Sequence, residues 1–455
     1  MATTSSAERD RVADAPGDGR LGLAATISLV VGGIVGTGIF AVPAAVAAFG
    51  WVSVPAFVVV AIGSLSLALA FASLAGRTTR SGGPYAYAED AFGEFAGFLA
   101  AWTYWIQGWT GHATISVAGA GYLASLLGLS DGATTTSVLA LVILGIPLAN
   151  NFVSTRSVGA VAVITTVLKI SALAVVAIVG LVLFDPGNVG PVREHGGSWS
   201  AALPAACAVL LFSFLGMEGA VVATDRIRDP RRNVPRAVVG GVLVVSVLYL
   251  AGTLAVQGTI PQGELGESSA PFADAAAVLF GGDWAGKVIA AIAVISAMGA
   301  LNGWNMVNAE MVSGAARDGL FPAFLERRWR GLPGAALLLN GALGAILLLL
   351  NAAGNALDAF ETLALLSTFI YVFGYVLSVA AQLLHVVRDD TGTAVGPSRF
   401  QLGVALVAMA FSLWMIGATG GDAAPAGVVL LMLGVPVHVL VRGRRERHAA
   451  RARVT

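Results

Sequence analysis

Few residues in this 455-residue chain could do chemistry, and they sit where charge is expensive. Lys169 lies in Thr166-Val167-Leu168-Lys169-Ile170, inside the apolar run 157–184, and it is one of only two lysines. Glu218 closes Phe212-Ser213-Phe214-Leu215-Gly216-Met217-Glu218 in the run 200–224. An ionisable side chain in such a run is costly unless it has a partner or a task. A carboxyl and an ammonium can each bind and release a proton, so the chemistry they offer is proton coupling. The alternative for Lys169 is a fixed ammonium tied to backbone carbonyls of the first apolar run, 21–49; for Glu218 it is a carboxylate that bonds loose backbone. His112 and Gln107 lie in the run 93–127 and face one pocket if that run is a helix. A lone histidine there can sense pH, although it more often packs with a hydrogen bond. Bond-breaking chemistry has no candidates. The chain has no Gly-x-x-x-x-Gly-Lys phosphate loop and therefore no ATP drive. Within the spans it has no His-x-x-x-His pair or carboxylate cluster for a metal, and Glu218 has no nucleophile or second acid beside it. Cys207 stands alone, which excludes an intrachain disulfide framework.

Two glycine-rich breaks must position these groups. The first apolar run, 21–49, is interrupted at Ile34-Val35-Gly36-Thr37-Gly38-Ile39-Phe40, with Gly32, Gly33 and Pro43 close by. Glycine and proline weaken a continuous helix. Non-helical backbone survives at membrane depth only where protein or a water-filled cavity satisfies it. The spacing predicts two half-helices around an unwound turn at Gly36-Thr37-Gly38. Free N–H groups at Thr37 and Gly38, at the positive end of the second half-helix, suit a carboxylate. Packing glycines, as in Gly32-xxx-Gly36, are the competing explanation. The run 200–224 is broken in the same way at Gly216 and Gly219, and a pair of breaks in corresponding runs is the mark of an inverted repeat with a binding site between them.

Composition makes the chain a polytopic membrane protein: 57% of its residues are hydrophobic and 11% charged. Twelve spans are expected, at 21–49, 51–75, 93–127, 135–150, 157–184, 200–224, 236–260, 284–315, 333–352, 357–385, 400–419 and 424–441. The fold class is then all-α integral membrane: twelve transmembrane helices in a 5+5 inverted repeat with helices one and six broken, plus two more. Segment 1–20 reads as a disordered cytoplasmic N-terminus, 21–184 as the first repeat, 200–385 as the second, 400–441 as the added spans and 442–455 as a basic cytoplasmic tail. The stretch 261–283 is too polar to span and reads as an outer loop with a surface helix near Pro271–Phe280. No cleavable signal peptide is read at the start. Arginines fall in alternate loops, at Arg77 and Arg80, Arg156, Arg226 to Arg236, Arg317 to Arg330, Arg388 and Arg399, with Arg9, Arg11, Arg20 and Arg442 to Arg453 on the same side. The intervening loops carry Asp131, Asp185, Glu194, Glu264, Glu267, Asp274, Asp283 and Asp422, with only Arg193 and Lys287 as bases. This positive-inside pattern puts both termini in the cytoplasm and makes the arginine-rich tail a topology signal that touches anionic lipid, not a nucleic-acid site.

These stretches also carry a family resemblance. The first break resembles the Gly-(Ser/Ala/Thr)-Gly-Ile-Phe motif of the amino acid–polyamine–organocation superfamily of transporters. Phe214-Leu215-Gly216-Met217-Glu218 and the exit Arg228-Asp229-Pro230-Arg231-Arg232-Asn233-Val234-Pro235-Arg236-Ala237 resemble that family's Gly-Phe-Glu and Asn-Pro-x-Arg-Asn-Ile-Pro-Arg-Ala patterns. Ser81-Gly82-Gly83-Pro84-Tyr85 and Ala316-Arg317-Asp318-Gly319-Leu320-Phe321-Pro322 are similar to two of its loops, and Leu301-Asn302-Gly303-Trp304 is similar to the bacterial arginine/agmatine antiporters. The resemblance implies a leucine-transporter-like fold. It implies that carbonyls near Ile34, Phe212 and Leu215, beside Gly36, take a substrate ammonium. Phe212 stands where the antiporters place a gating tryptophan, Trp304 at a second pocket aromatic, Tyr104 near the site, and Ser367 and Thr368 at a polar pair. Glu218 matches the family's acid. Lys169 matches a lysine that, in proton-coupled relatives, fills the space where sodium-coupled members hold an ion; the arginine/agmatine antiporters lack it.

The expected function is a secondary active transporter of amino acids across the cytoplasmic membrane by alternating access, sodium-independent and proton-coupled or exchanging. A basic amino acid/polyamine antiporter is the alternative within transporters; a ligand-binding receptor or channel is the alternative of another class, and an intramembrane hydrolase ranks below both. Partners are an amino acid substrate, protons and membrane lipid, with no cofactor, no metal and no nucleic acid.

Overall fold

A computed structural model describes residues 21–36, 38–75, 83–130, 132–153, 156–193, 197–217, 227–351, 355–388, 397–421 and 423–452. The expectations for segment 1–20, Thr37 and Glu218 lie outside the described residues. Among those described, the chain is all-α. The strand-like pairings are isolated bridges, Leu21 with Ile227 and Trp329 with Leu332.

The first apolar run forms α1 (Leu23–Ile34) and α2 (Gly38–Ala45), bent by 49° to each other. The helical ladder ends when the Val35 N–H donates to Val31 O at 2.8 Å, and the Gly36 N–H then turns back onto Ile34 O at 2.7 Å. A 3₁₀ turn at Ala47–Val52 leads into α3 (Ser53–Ala75). Next come α4 (Pro84–Phe92), α5 (Glu94–Leu127), α6 (Ala133–Val153), α7 (Arg156–Val182), α8 (Trp199–Phe214) and α9 (Pro230–Thr259). The chain ends through α10 (Pro271–Leu279), α11 (Asp283–Arg317), α12 (Gly334–Leu350), α13 (Ala356–Arg388), α14 (Ser398–Ala418), α15 (Ala423–Met432) and α16 (Gly434–Ala452).

Among the described residues eight helices are long and apolar enough to cross a membrane, nine if α1 and α2 make one span, while α8 and α12 are shorter apolar helices. The 34 residues of α5 are not among the eight. Its length exceeds the ~20 residues a bilayer needs, but it carries Thr103, Gln107, Thr110, His112, Thr114 and Ser116, most of them buried. The run 424–441 divides at Leu433, and α16 continues into the arginine-rich segment.

The outward faces are as apolar as the interior. Val138, Val142 and Ile146 make an exposed stripe on α6, and Leu402, Leu406 and Leu413 another on α14. Such faces have a favourable solvent in lipid and not in water. The long helix α5 packs on α11 and α13, and α9 packs on α1, α3 and α7. The two broken elements, α1/α2 and α8, are thereby enclosed on several sides. The helix expected on the surface near Pro271–Phe280 is instead packed inward: Pro271, Phe272, Ala273, Ala275 and Ala276 of α10 are buried. The cause is the ring of Phe272, which stands edge-on to Phe40 of α2 at 5.5 Å.

Candidate functional site

The two breaks meet. Helix α8 ends with Leu215 in extended backbone, its N–H donating to Phe212 O at 3.2 Å. Gly216 then adopts φ +99, a conformation that suits only glycine. A side chain there would also collide, because a Cβ would lie 2.7 Å from Trp304 Cζ2 and 2.8 Å from Gly33 O. Glycine at 216 therefore lets the second break touch the first, with the Trp304 indole against both.

A cavity of about 50 Å³ opens at this junction. That is room for a few water molecules, since one needs roughly 10–15 Å³ by the same measure. Gly33, Ile34, Gly36 and Gly38 form one wall and Phe212, Ser213, Leu215 and Gly216 the next. Helix α5 supplies Gln107, Gly108, Gly111, His112 and Ile115, a stripe at helical spacing; α11 supplies Trp304 and α13 supplies Tyr371. Two polar groups of this lining are buried without a partner: Ser213 Oγ and the Tyr371 hydroxyl. Buried polar atoms left unpaired are costly, so a cavity lined by them favours a polar occupant. The Phe212 ring covers the start of α2: a Cβ on Gly38 would sit 3.0 Å from its Cε1. On its other side Phe212 meets Phe360 edge-on at 5.8 Å.

Of the residues singled out in the sequence, Ile34, Gly36, Gly38, Gln107, His112, Phe212, Leu215 and Trp304 come together at this cavity. The Ile34 carbonyl is already engaged. It accepts from the Gly36 N–H at 2.7 Å and the Tyr249 hydroxyl at 3.1 Å, which uses both lone pairs. Tyr104, Ser367 and Thr368 are not brought to it. Tyr104 lines a smaller space with Pro84, Thr103, Tyr371, Gly374 and Tyr375. The Ser367 hydroxyl pairs with Thr114 Oγ1 at 3.3 Å. Tyr371, one turn beyond Thr368, borders both spaces and meets Tyr104 edge-on at 6.1 Å. Sequence reasoning missed Ser213, Tyr371, Gly108, Gly111 and Ile115. The three on α5 were open to it, because they share the face of Gln107 and His112.

Lys169 is buried behind the first break. Its ammonium donates to Val35 O in a short contact and to Gly32 O at 3.4 Å. These are carbonyls that the end of α1 would otherwise leave unpaired. Among the described residues no group of three His, Cys, Asp or Glu side chains is placed to hold a metal ion.

The model of the Amino acid permease family matches residues 21–435. The chain belongs to that family, within the amino acid–polyamine–organocation superfamily. The permease is 30% identical to the putrescine transporter PotE of Escherichia coli strain K12 over 429 residues, 94% of this chain and 97% of that one. It is 29% identical to the PotE of Haemophilus influenzae over 419 residues, 91% and 95% of the two chains. It is 28% identical to the cadaverine/lysine antiporter of E. coli K12 over 372 residues, 79% and 82% of the chains. The permease is a multi-pass membrane transporter and not an enzyme.

Proposed function

We propose that this permease is a secondary carrier of amino acids in the cytoplasmic membrane, sodium-independent, working by alternating access with proton coupling or exchange. The observation that carries the reading is the junction of Gly33 with Gly216 over a cavity in which Ser213 Oγ and the Tyr371 hydroxyl lack partners. In this reading the chain has twelve spans. Residues 21–184 and 200–385 are inverted five-span repeats, 400–441 adds two spans, and 1–20 and 442–455 are cytoplasmic. Backbone N–H groups at Thr37 and Gly38 receive the substrate carboxylate, as half-helix N-termini do. Carbonyls at Phe212 and Leu215 receive its ammonium. Phe212 and Trp304 are the aromatic covers, and Gln107 and His112 face the substrate side chain. Lys169 and Glu218 handle protons, and Lys169 occupies the place a sodium ion would need.

A basic amino acid/polyamine antiporter is the second reading, and it rests on the relatives named for putrescine and for cadaverine and lysine. Glu218, two residues beyond the lining residue Gly216, and the aromatic pair Phe212 and Trp304 favour it, and Lys169 counts against it. A diamine needs an anionic partner for its ammonium groups. An α-amino acid zwitterion is served by N–H groups at one point and carbonyls at another.

A thermal-shift screen of the purified permease against the common amino acids, putrescine, cadaverine and agmatine tests both, since a ligand of the folded state raises Tm by mass action. Stabilisation by one class of amino acids is expected. Stabilisation by arginine, agmatine or diamines alone would establish the antiporter and demote Lys169 to a structural tie. The ligand that binds must then show counter-substrate-stimulated uptake into proteoliposomes; binding without flux would make the protein a receptor.

A further inference from the structure

Behind the α5 wall of the cavity, hydrogen bonds close on themselves. The Trp105 Nε1–H of α5 donates to Asn340 Oδ1 of α12 at 2.6 Å. The Asn340 Nδ2 donates to Asn308 Oδ1 of α11 at 2.7 Å, and the Asn308 Nδ2 donates to the Tyr104 carbonyl of α5 at 3.3 Å. The path begins and ends at neighbouring residues of α5, and its members are buried. Each amide uses both its oxygen and its nitrogen. A buried polar network whose members are all satisfied rigidifies the elements it joins.

The ring sits where two cavity walls are anchored. Asn308 is four residues beyond Trp304 on α11, so their side chains lie on one face a turn apart. Its amide head rests on Gly108, which lines the cavity: a Cβ on Gly108 would fall 1.7 Å from Asn308 Nδ2 and 2.3 Å from its Cγ. Toward the other end of α11, Asn302 Oδ1 accepts from Asn150 Nδ2 and Asn151 Nδ2 of α6 at 2.8 Å each. Trp304 is therefore held between two amide anchors. The spacing between the Trp304 wall and the Gln107–His112 turn depends on the ring and not on apolar packing alone.

We infer that the Trp105–Asn340–Asn308–Tyr104 ring is a positioning element that sets the width of the cavity where the substrate side chain lies, and so limits the size of side chain the carrier accepts. This rests on the proposed substrate site. None of the ring side chains lines the cavity; they act through Trp304 and Gly108.

The test compares full-length wild type with Asn308→Ala, Gly108→Ala and the double variant Gly108→Ala/Asn308→Ala. Thermal shift is read against alanine, valine, leucine, phenylalanine, tryptophan, lysine and putrescine. In wild type, stabilisation peaks at one side-chain size. In Asn308→Ala the apparent Kd of the best ligand weakens roughly three- to tenfold, as for one or two lost buried hydrogen bonds, and its advantage over the next larger side chain shrinks. Gly108→Ala does the same, because its methyl displaces the Asn308 head. The double variant regains selectivity relative to Gly108→Ala, because the methyl fills the room the amide leaves. Single variants that lower the unliganded Tm with the ligand order unchanged would make the ring merely structural and overturn the proposal; so would simple addition of the two effects in the double variant. If none of these ligands stabilises wild type, the carrier reading fails for these classes. Hydrogen exchange of the unliganded protein then decides the ring alone: Asn308→Ala raises exchange in both 103–112 and 300–310, and a rise confined to 300–310 overturns it.

Discussion

The residue with the sharpest consequence is Lys169. Its ammonium lies on the Val35 and Gly32 carbonyls, at the point where α1 stops. A neutral lysine would hold these carbonyls less firmly than an ammonium does. Proton exchange at Nζ would therefore loosen or tighten the first break, which links protonation to the site. Lys169→Ala is expected to abolish pH-gradient-driven uptake, at least about tenfold, in protein that still elutes as a folded species. Lys169→Ala protein with the same uptake at about pH 5.5 and about pH 8 as wild type would rule that link out. Much of this was legible in the sequence, because a lysine in an apolar run stands out and its two possible tasks could be named. Which carbonyls it meets was not, since Val35 and Lys169 are brought together only by the packing of α7. The same holds for Asn308 and Asn340. Each reads as an ordinary polar residue in an apolar run, and only the approach of α11 and α12 to Gly108 makes them a pair.

Among the elements, α10 and the turns beside it behave as a cap fastened to α2. The Tyr122 hydroxyl donates to the Phe40 carbonyl at 2.7 Å and accepts from the Phe272 N–H at 3.1 Å. Gln262 Nε2 donates to the Ala47 and Pro191 carbonyls at 2.8 and 2.7 Å. Any movement of α2 must carry this cap along. Within it, burial raises the pKa of the Asp274 carboxyl, partly offset by the Ser268 hydroxyl that donates to Oδ2 at 2.5 Å. An acid whose pKa is raised by folding binds protons more readily in the folded state. Stability therefore falls as pH climbs from the unfolded value toward the folded one, and stays at the lower level above it. Asp274→Asn keeps the acceptor and removes the charge. It should raise Tm at about pH 8 and flatten the fall of Tm as pH climbs above the usual carboxylate range. A wild-type Tm that rises with pH above that range, or an Asp274→Asn variant less stable at pH 8, would contradict the argument. The breaks in α1/α2 and at α8 were readable from glycine and proline. The cap reads as a surface helix because its polarity is that of a loop; the Phe272 ring edge-on to Phe40 and the Tyr122 hydroxyl that accepts from the Phe272 N–H hold it inward.

At the scale of the molecule, contacts sort the loops into two groups. Arg445 of α16 reaches the Gly319 carbonyl at 3.3 Å and Glu94 at 3.6 Å, and the Tyr85 hydroxyl donates to Asp318 at 3.0 Å. The start of α4 and α5, the turn after α11 and the arginine-rich α16 thus share one end. At a different end the Asp185 N–H donates to Gly258 O at 3.1 Å, the Arg193 N–H to Ala48 O at 2.8 Å, and Gln262 to Pro191. That end carries Asp185, Glu264, Glu267 and Asp274 with Arg193, while the first carries Arg317, Arg327, Arg328, Arg330, Arg442, Arg444 and Arg447 beside Glu94 and Asp318. Basic residues resist translocation during insertion whereas acidic ones contribute little to the choice, so the arginine end should stay in the cytoplasm. Green fluorescent protein fused after Thr455 is expected to fluoresce and alkaline phosphatase at the same point to be inactive. Phosphatase inserted at Gly281, between α10 and α11, should be active. Active phosphatase after Thr455 would invert the molecule, place the α10 cap on the cytoplasmic side, and reverse which side of the membrane the Phe212 cover closes.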